Sequence, residues 1–143
     1  VILGAGGVVP SILYALKRMN ASQIYLSNRT KEKAELLKNL FEGTEVFEWG
    51  KLPHFDMIIN ATSLGLKQND RFGIDFSKFG KNKLFFDVIY NPFDTEFSIA
   101  GNQQGNTIEN GLNMFLFQAQ MAFNIWHDVE PKIDDEVLRF LGS

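Results

Sequence analysis

Short runs of β-branched and aromatic residues alternate with stretches of helical period along most of this chain. Val1-Ile2-Leu3 reads as the end of a strand with no lead-in, and strands usually run longer, so residues are expected upstream of it. A helical pattern follows from about Val8 to Met19, with Ile12, Leu13, Ala15, Leu16 and Met19 near helical spacing. Ile24-Tyr25-Leu26 forms the next strand. Lys31 to Phe41 then predicts a helix with Ala34, Leu37, Leu40 and Phe41 inward and Lys31, Glu32, Lys33, Glu35 and Lys38 outward. Thr30 is its expected N-cap. Glu45 to Trp49 alternates as an edge strand does, whereas Asp56 to Asn60 reads as a fully buried one. Gly65 to Lys83 is polar and expected to be mostly loop. Leu84 to Val88 is a fifth strand, Thr95 to Asn102 a helix, and Asn106 to Ile108 a short sixth strand. The chain closes with helices from Gly111 to about Trp126 and from Asp134 to Leu141, broken at Pro131.

Strands joined by helices through short connections imply right-handed crossovers and a mostly parallel sheet covered on both faces. The expected class is α/β, doubly wound and Rossmann-like, with C-terminal helices over about 111–141. At 143 residues, 45% hydrophobic and with 14 Phe, residues 1–143 are expected to form one domain around one sizeable core. The net charge of -3, with both signs mixed, offers no positive field for nucleic acid or an anionic membrane. No apolar run approaches the roughly 20 residues a helical span needs. The absence of cysteine excludes disulfides and thiolate metal sites and fits a reducing cytoplasm. The expectation is a soluble, cytoplasmic protein without a metal site, because His54 and His127 are too few and too far apart to suggest one.

Gly4-Ala5-Gly6-Gly7-Val8-Val9 lies where a strand ends and a helix begins, the context in which a glycine turn cradles phosphate. Gly4 permits the tight turn, Gly6 allows close backbone approach, and the helix-opening amides face the anion with a positive dipole end. Pro10 falls in the first helical turn, where its missing donor costs little. Val9 replaces the third glycine of the GxGxxG pattern, so a turn serving only helix-to-strand packing stands as the alternative. The second strand ends in Ser27-Asn28-Arg29-Thr30, followed by Lys31 and Lys33, where an NAD-binding domain normally carries an acidic residue. A guanidinium, two hydroxyls and two ammonium groups suit a 2′-phosphate, which favours NADP. Arg29 could also stack on adenine; Lys31 reads equally as a solvated helix start.

The glycine turn, Asn28-Arg29-Thr30, Asn60-Ala61-Thr62-Ser63-Leu64-Gly65, Asp87-Val88-Ile89-Tyr90 and Asn110-Gly111-Leu112-Asn113-Met114 with Gln118-Ala119-Gln120 form an ordered series. Together they resemble the C-terminal NADP domain of the shikimate dehydrogenase family over nearly the whole chain. The resemblance implies reversible hydride transfer between NADPH and 3-dehydroshikimate to give shikimate, in aromatic amino acid biosynthesis. Carried over by position, Gly4, Ala5, Gly6, Gly7 and Val8 would contact the pyrophosphate, and Asn28, Arg29, Thr30 and Lys33 the adenosine phosphate end. Asn60, Ala61, Thr62 and Ser63 would lie along the cofactor, Val88 and Gly111 near the nicotinamide, and Tyr90 and Gln118 toward the substrate.

Val88 stands where the family often has Met, and Asn113 where it often has Gly. The resemblance also places the catalytic Lys and Asp in an N-terminal domain, so no catalytic residue is assigned here and the chain alone is expected to be inactive. A shikimate/quinate dehydrogenase of relaxed specificity and a non-catalytic dinucleotide-binding module stand as alternatives, the second having no use for Tyr90 and Gln118. The 111–126 helix carries apolar residues on several sides, so this sheet is expected on one side of it and the missing N-terminal domain on the other. Bared of that domain, it would favour self-association of the fragment.

Overall fold

The computed structural model describes residues 1–142. Its six strands are β1 (Ile2–Leu3), β2 (Ile24–Ser27), β3 (Thr44–Phe47), β4 (Met57–Asn60), β5 (Leu84–Asp87) and β6 (Thr107–Asn110). The helices are α1 (Val9–Arg18), α2 (Lys31–Leu40), α3 (Glu96–Gln103), α4 (Leu112–His127) and α5 (Asp135–Gly142). All five strand pairings are parallel, in the order β3-β2-β1-β4-β5-β6. The expected doubly wound α/β class is therefore the observed one, and the order reverses between β1 and β4, where a crevice opens at the carboxyl ends of the strands.

Period-two alternation divides the core between the two faces of the sheet. Ile2, Leu26 and Ile59 pack with Val9 and Leu13 of α1 and Ala34 of α2. Leu3, Ile58 and Phe85 point the other way, against Phe97 of α3 and the aromatic residues Phe55, Phe72 and Phe76. The second face is a stack of phenyl rings, with Phe85 and Phe97 centred 5.0 Å apart and Phe76 and Phe97 5.4 Å apart.

Three expectations change. The 65–83 segment contributes Phe72 and Phe76 to that buried stack and carries a 3₁₀ turn at Phe76–Phe79, because isolated phenylalanines seal a core without any period to announce them. Thr30 occupies the N-cap of α2, but its hydroxyl makes no capping bond. In α4 only Leu116 is buried, while Phe117, Met121, Ile125 and Trp126 are exposed, so this sheet covers less of the helix than expected.

Candidate functional site

The turn after β1 is held by a contact that only glycine allows. Gly4 has φ +111°, and a Cβ there would lie 2.6 Å from the Ala61 carbonyl oxygen, so the chain leaving β1 runs directly against the chain leaving β4. Gly4 N donates to Ser27 O at 2.8 Å and Ala61 N to Leu3 O at 2.8 Å, locking three strand ends together. The amides of Gly6, Gly7 and Val8 have no hydrogen-bond partner among the described residues, and they open α1. Unpaired donors at the positive end of a helix dipole suit an anion. Val9 is fully buried on the sheet, where the glycine pattern has its third glycine.

Beside this turn lies a cavity of about 380 Å³ at the carboxyl ends of β1, β2 and β4. Gly4, Ala5 and Gly6 form one part of its wall; Asn28, Arg29, Thr30 and Lys33 form another, and Ala61, Thr62 and Ser63 a third. Ten residues singled out from sequence thus meet in one concavity. Lys31 is paired with Glu35 at 4.0 Å, whereas neither Arg29 nor Lys33 has a carboxylate partner among the described residues. Two cations without counter-ions, next to unpaired backbone donors, describe a site for more than one phosphate group. Asn28 Nδ2 donates to Thr30 O at 2.6 Å and shapes the turn between them. Ser27, expected to offer a second hydroxyl, is instead buried, because as the last residue of β2 it faces inward, and its Oγ has no partner.

Asn60 stands beneath the cavity rather than in its wall. It is fully buried; its amide donates to Asp87 Oδ1 at 2.9 Å and Leu64 O at 3.1 Å and accepts from Thr62 N and Oγ1 at 3.1 and 2.7 Å. Both of its donors and its acceptor oxygen are engaged in shaping the 60–64 turn. Asp87 accepts in addition from Ile89 N at 3.0 Å and from Thr95 Oγ1 at 2.6 Å, and Thr95 caps α3 with Ser98 in a reciprocal pair. Burial pushes the Asp87 carboxyl above its ordinary pKa, opposed by the bonds from Thr95, Ile89 and Asn60.

At the other half of the sheet the predicted residues are more scattered. Val88 and Gly111 touch: a Cβ on Gly111 would fall 1.9 Å from the Val88 carbonyl oxygen. Tyr90 is half-buried and stacks on Phe115 of α4, with centroids 5.0 Å apart and planes 23° from parallel. Gln118 is exposed further along α4. Gly7 and Val8, at the start of α1, are not among the residues that line the cavity, and Gly7 is exposed. Two residues that the sequence reading passed over belong here as well: Phe115, through its stack on Tyr90, and Trp49, which lines the cavity beside Arg29. A larger depression of about 820 Å³ runs between the 65–71 loop and α3, but its Lys67 and Arg71 are mixed with Asp70, Asp94 and Glu96 and present no single sign of charge.

Among the described residues, no group of three His, Asp or Glu side chains could hold a metal ion. No helix there is long and apolar enough to cross a membrane.

No protein-family model matches the chain. The chain is 51% identical over 140 residues to a shikimate dehydrogenase (NADP(+)) of Pelagibacter ubique, covering 98% of this chain and 53% of that protein. It resembles the crystal structure of a shikimate dehydrogenase from Aquifex aeolicus at 33% identity and TM-score 0.79, over 92% of this chain and 48% of that one. Shikimate 5-dehydrogenase from Thermus thermophilus, crystallised with NADP(H) and shikimate, is similar at 26% identity and TM-score 0.80, over 92% and 49%. The chain therefore spans about half the length of the curated relatives it matches.

Proposed function

Because this chain belongs to the shikimate dehydrogenase family, we propose that it is the NADP-binding half of an enzyme that reduces 3-dehydroshikimate to shikimate. Residues 1–143 act as one cofactor domain, with the terminal helices at about 111–141 as its link to the substrate half. The observation that carries this reading is the single cavity joining the Gly4–Gly6 turn to Arg29 and Lys33.

The bound dinucleotide supplies the hydride, and the residues of this chain bind and orient it. The amides of Gly6, Gly7 and Val8 hold the pyrophosphate, with Gly4 and Ala5 bringing the backbone close. Arg29 and Lys33 neutralise the 2′-phosphate, and Asn28 and Thr30 border the same end. Ala61, Thr62 and Ser63 run along the cofactor on the turn that Asn60 shapes from below. Val88 and Gly111 bound the nicotinamide, and Tyr90 and Gln118 turn toward the substrate's hydroxyl and carboxylate groups, which a phenol and an amide can bond without taking up the transferred proton. The proton-transfer groups come from the other half of the full-length enzyme, so this chain alone turns nothing over. That half also covers the exposed face of α4; without it, copies of the chain associate through Phe117, Met121, Ile125 and Trp126. The setting is a reducing cytoplasm.

Calorimetric titration of the chain with NADP and with NAD tests the cofactor reading. Binding of NADP at least about tenfold tighter than NAD is expected from one additional charge-assisted phosphate site. Equal affinities would overturn it.

A further inference from the structure

Trp49 follows β3 by two residues and reaches the same cavity wall as Arg29 and Lys33. It is the one aromatic side chain among the described residues of that wall, whose other members are small, polar or cationic. Its setting is rigid: the indole is half-buried against the phenylalanine face of the core, and Nε1 donates to Phe72 O at 3.0 Å. An aromatic plane already fixed by packing and a hydrogen bond loses little freedom when a flat ligand stacks on it. Position in the sheet decides which part of a dinucleotide it meets. Trp49 lies at the β3-β2 edge, whereas Val88 and Gly111 lie at the β5-β6 side, with the glycine turn of β1 between them. A pyrophosphate on that turn leaves the adenine, and not the nicotinamide, on the Trp49 side.

We propose that Trp49 is a further binding residue, the stacking platform for the adenine ring of the dinucleotide. The inference rests on the cofactor reading above and adds to it a named aromatic contact. Of the two tryptophans in the chain, Trp126 is exposed on α4, so Trp126→Phe leaves Trp49 as the sole tryptophan, read by excitation that tyrosine does not absorb. That variant is titrated with 2′,5′-ADP, with NADP and with nicotinamide mononucleotide, while calorimetry follows binding independently. The first two ligands should quench the Trp49 emission, and nicotinamide mononucleotide should not. Trp49→Phe should keep 2′,5′-ADP affinity within about threefold, and Trp49→Ala should lose roughly tenfold, the scale of one base–aromatic stack. Calorimetric binding of 2′,5′-ADP with unchanged Trp49 emission would overturn the proposal and leave the cofactor reading standing. Should Trp49→Ala not fold, the quenching result decides alone. Absence of any binding of NADP and 2′,5′-ADP to the unmodified chain would reject the cofactor reading and this inference with it.

Discussion

Asn60 Nδ2 donates to Asp87 Oδ1 over 2.9 Å, and this buried bond ties the turn that walls the cavity to the neighbouring strand β5. Through Thr95, the same carboxylate also fixes the start of α3. One side chain thus holds three segments around the carboxyl ends of β4 and β5, which makes its loss costly.

Asp87→Ala leaves Asn60, Thr95 and the Ile89 amide without their shared acceptor. A loss of about 3 kcal/mol in urea unfolding is expected, from several buried donors left unpaired.

Acid should act on Asp87 in the opposite sense from a salt-bridged carboxylate. Its folded pKa is raised above the ordinary 3.8 by burial, so its contribution to stability is fully present below 3.8 and is lost as pH rises through the folded value. Asp87→Asn has no such titration. The stability of the wild type relative to Asp87→Asn should therefore improve as pH falls from neutrality through the raised folded value toward 3.8. Urea midpoints of both proteins across that range check the sign, and a difference that widens the other way would refute the assignment.

Gly111→Ala places a methyl carbon 1.9 Å from the Val88 carbonyl oxygen, with backbone rather than a yielding side chain in the way. Forced displacement there should cost about 2–3 kcal/mol. Thermal unfolding reads the loss directly; an unchanged midpoint would mean that β6 can retreat from Val88.

Tyr90→Phe keeps the ring that stacks on Phe115 and removes only the hydroxyl. In the full-length enzyme, KM for shikimate should rise about fivefold to tenfold, the scale of one lost hydrogen bond, with KM for NADP unchanged. Parallel changes in both constants would assign Tyr90 to the scaffold.

The class of fold could be read from the chain because strand and helix periods alternate without interruption as far as β3, and because Gly4 falls between a strand and a helix. The cluster around the cavity was legible for a related reason. In a parallel sheet every strand delivers its next few residues to the same end, so Gly4–Gly6, Asn28–Lys33 and Ala61–Ser63 converge without long-range information. What stayed hidden depends on contacts far apart in sequence. Trp49 is fixed by the carbonyl of Phe72, which no local pattern reveals, and the alternation from Glu45 to Trp49 placed it inside an edge strand that ends at Phe47. Ser27 and Lys31 looked like phosphate ligands by spacing, but one faces inward and the other pairs with Glu35. Phe72 and Phe76 sat in a segment too polar to suggest a core.

The central claim is that the space between Arg29 and the Gly4–Gly6 turn receives the adenosine end of NADP. A crystal structure of the chain grown with NADP tests it most directly. The expected result is 2′-phosphate density within hydrogen-bond distance of Arg29 and Lys33, with pyrophosphate on the amides of Gly6 to Val8. Density for the nucleotide elsewhere, with Arg29 turned into solvent, would contradict it.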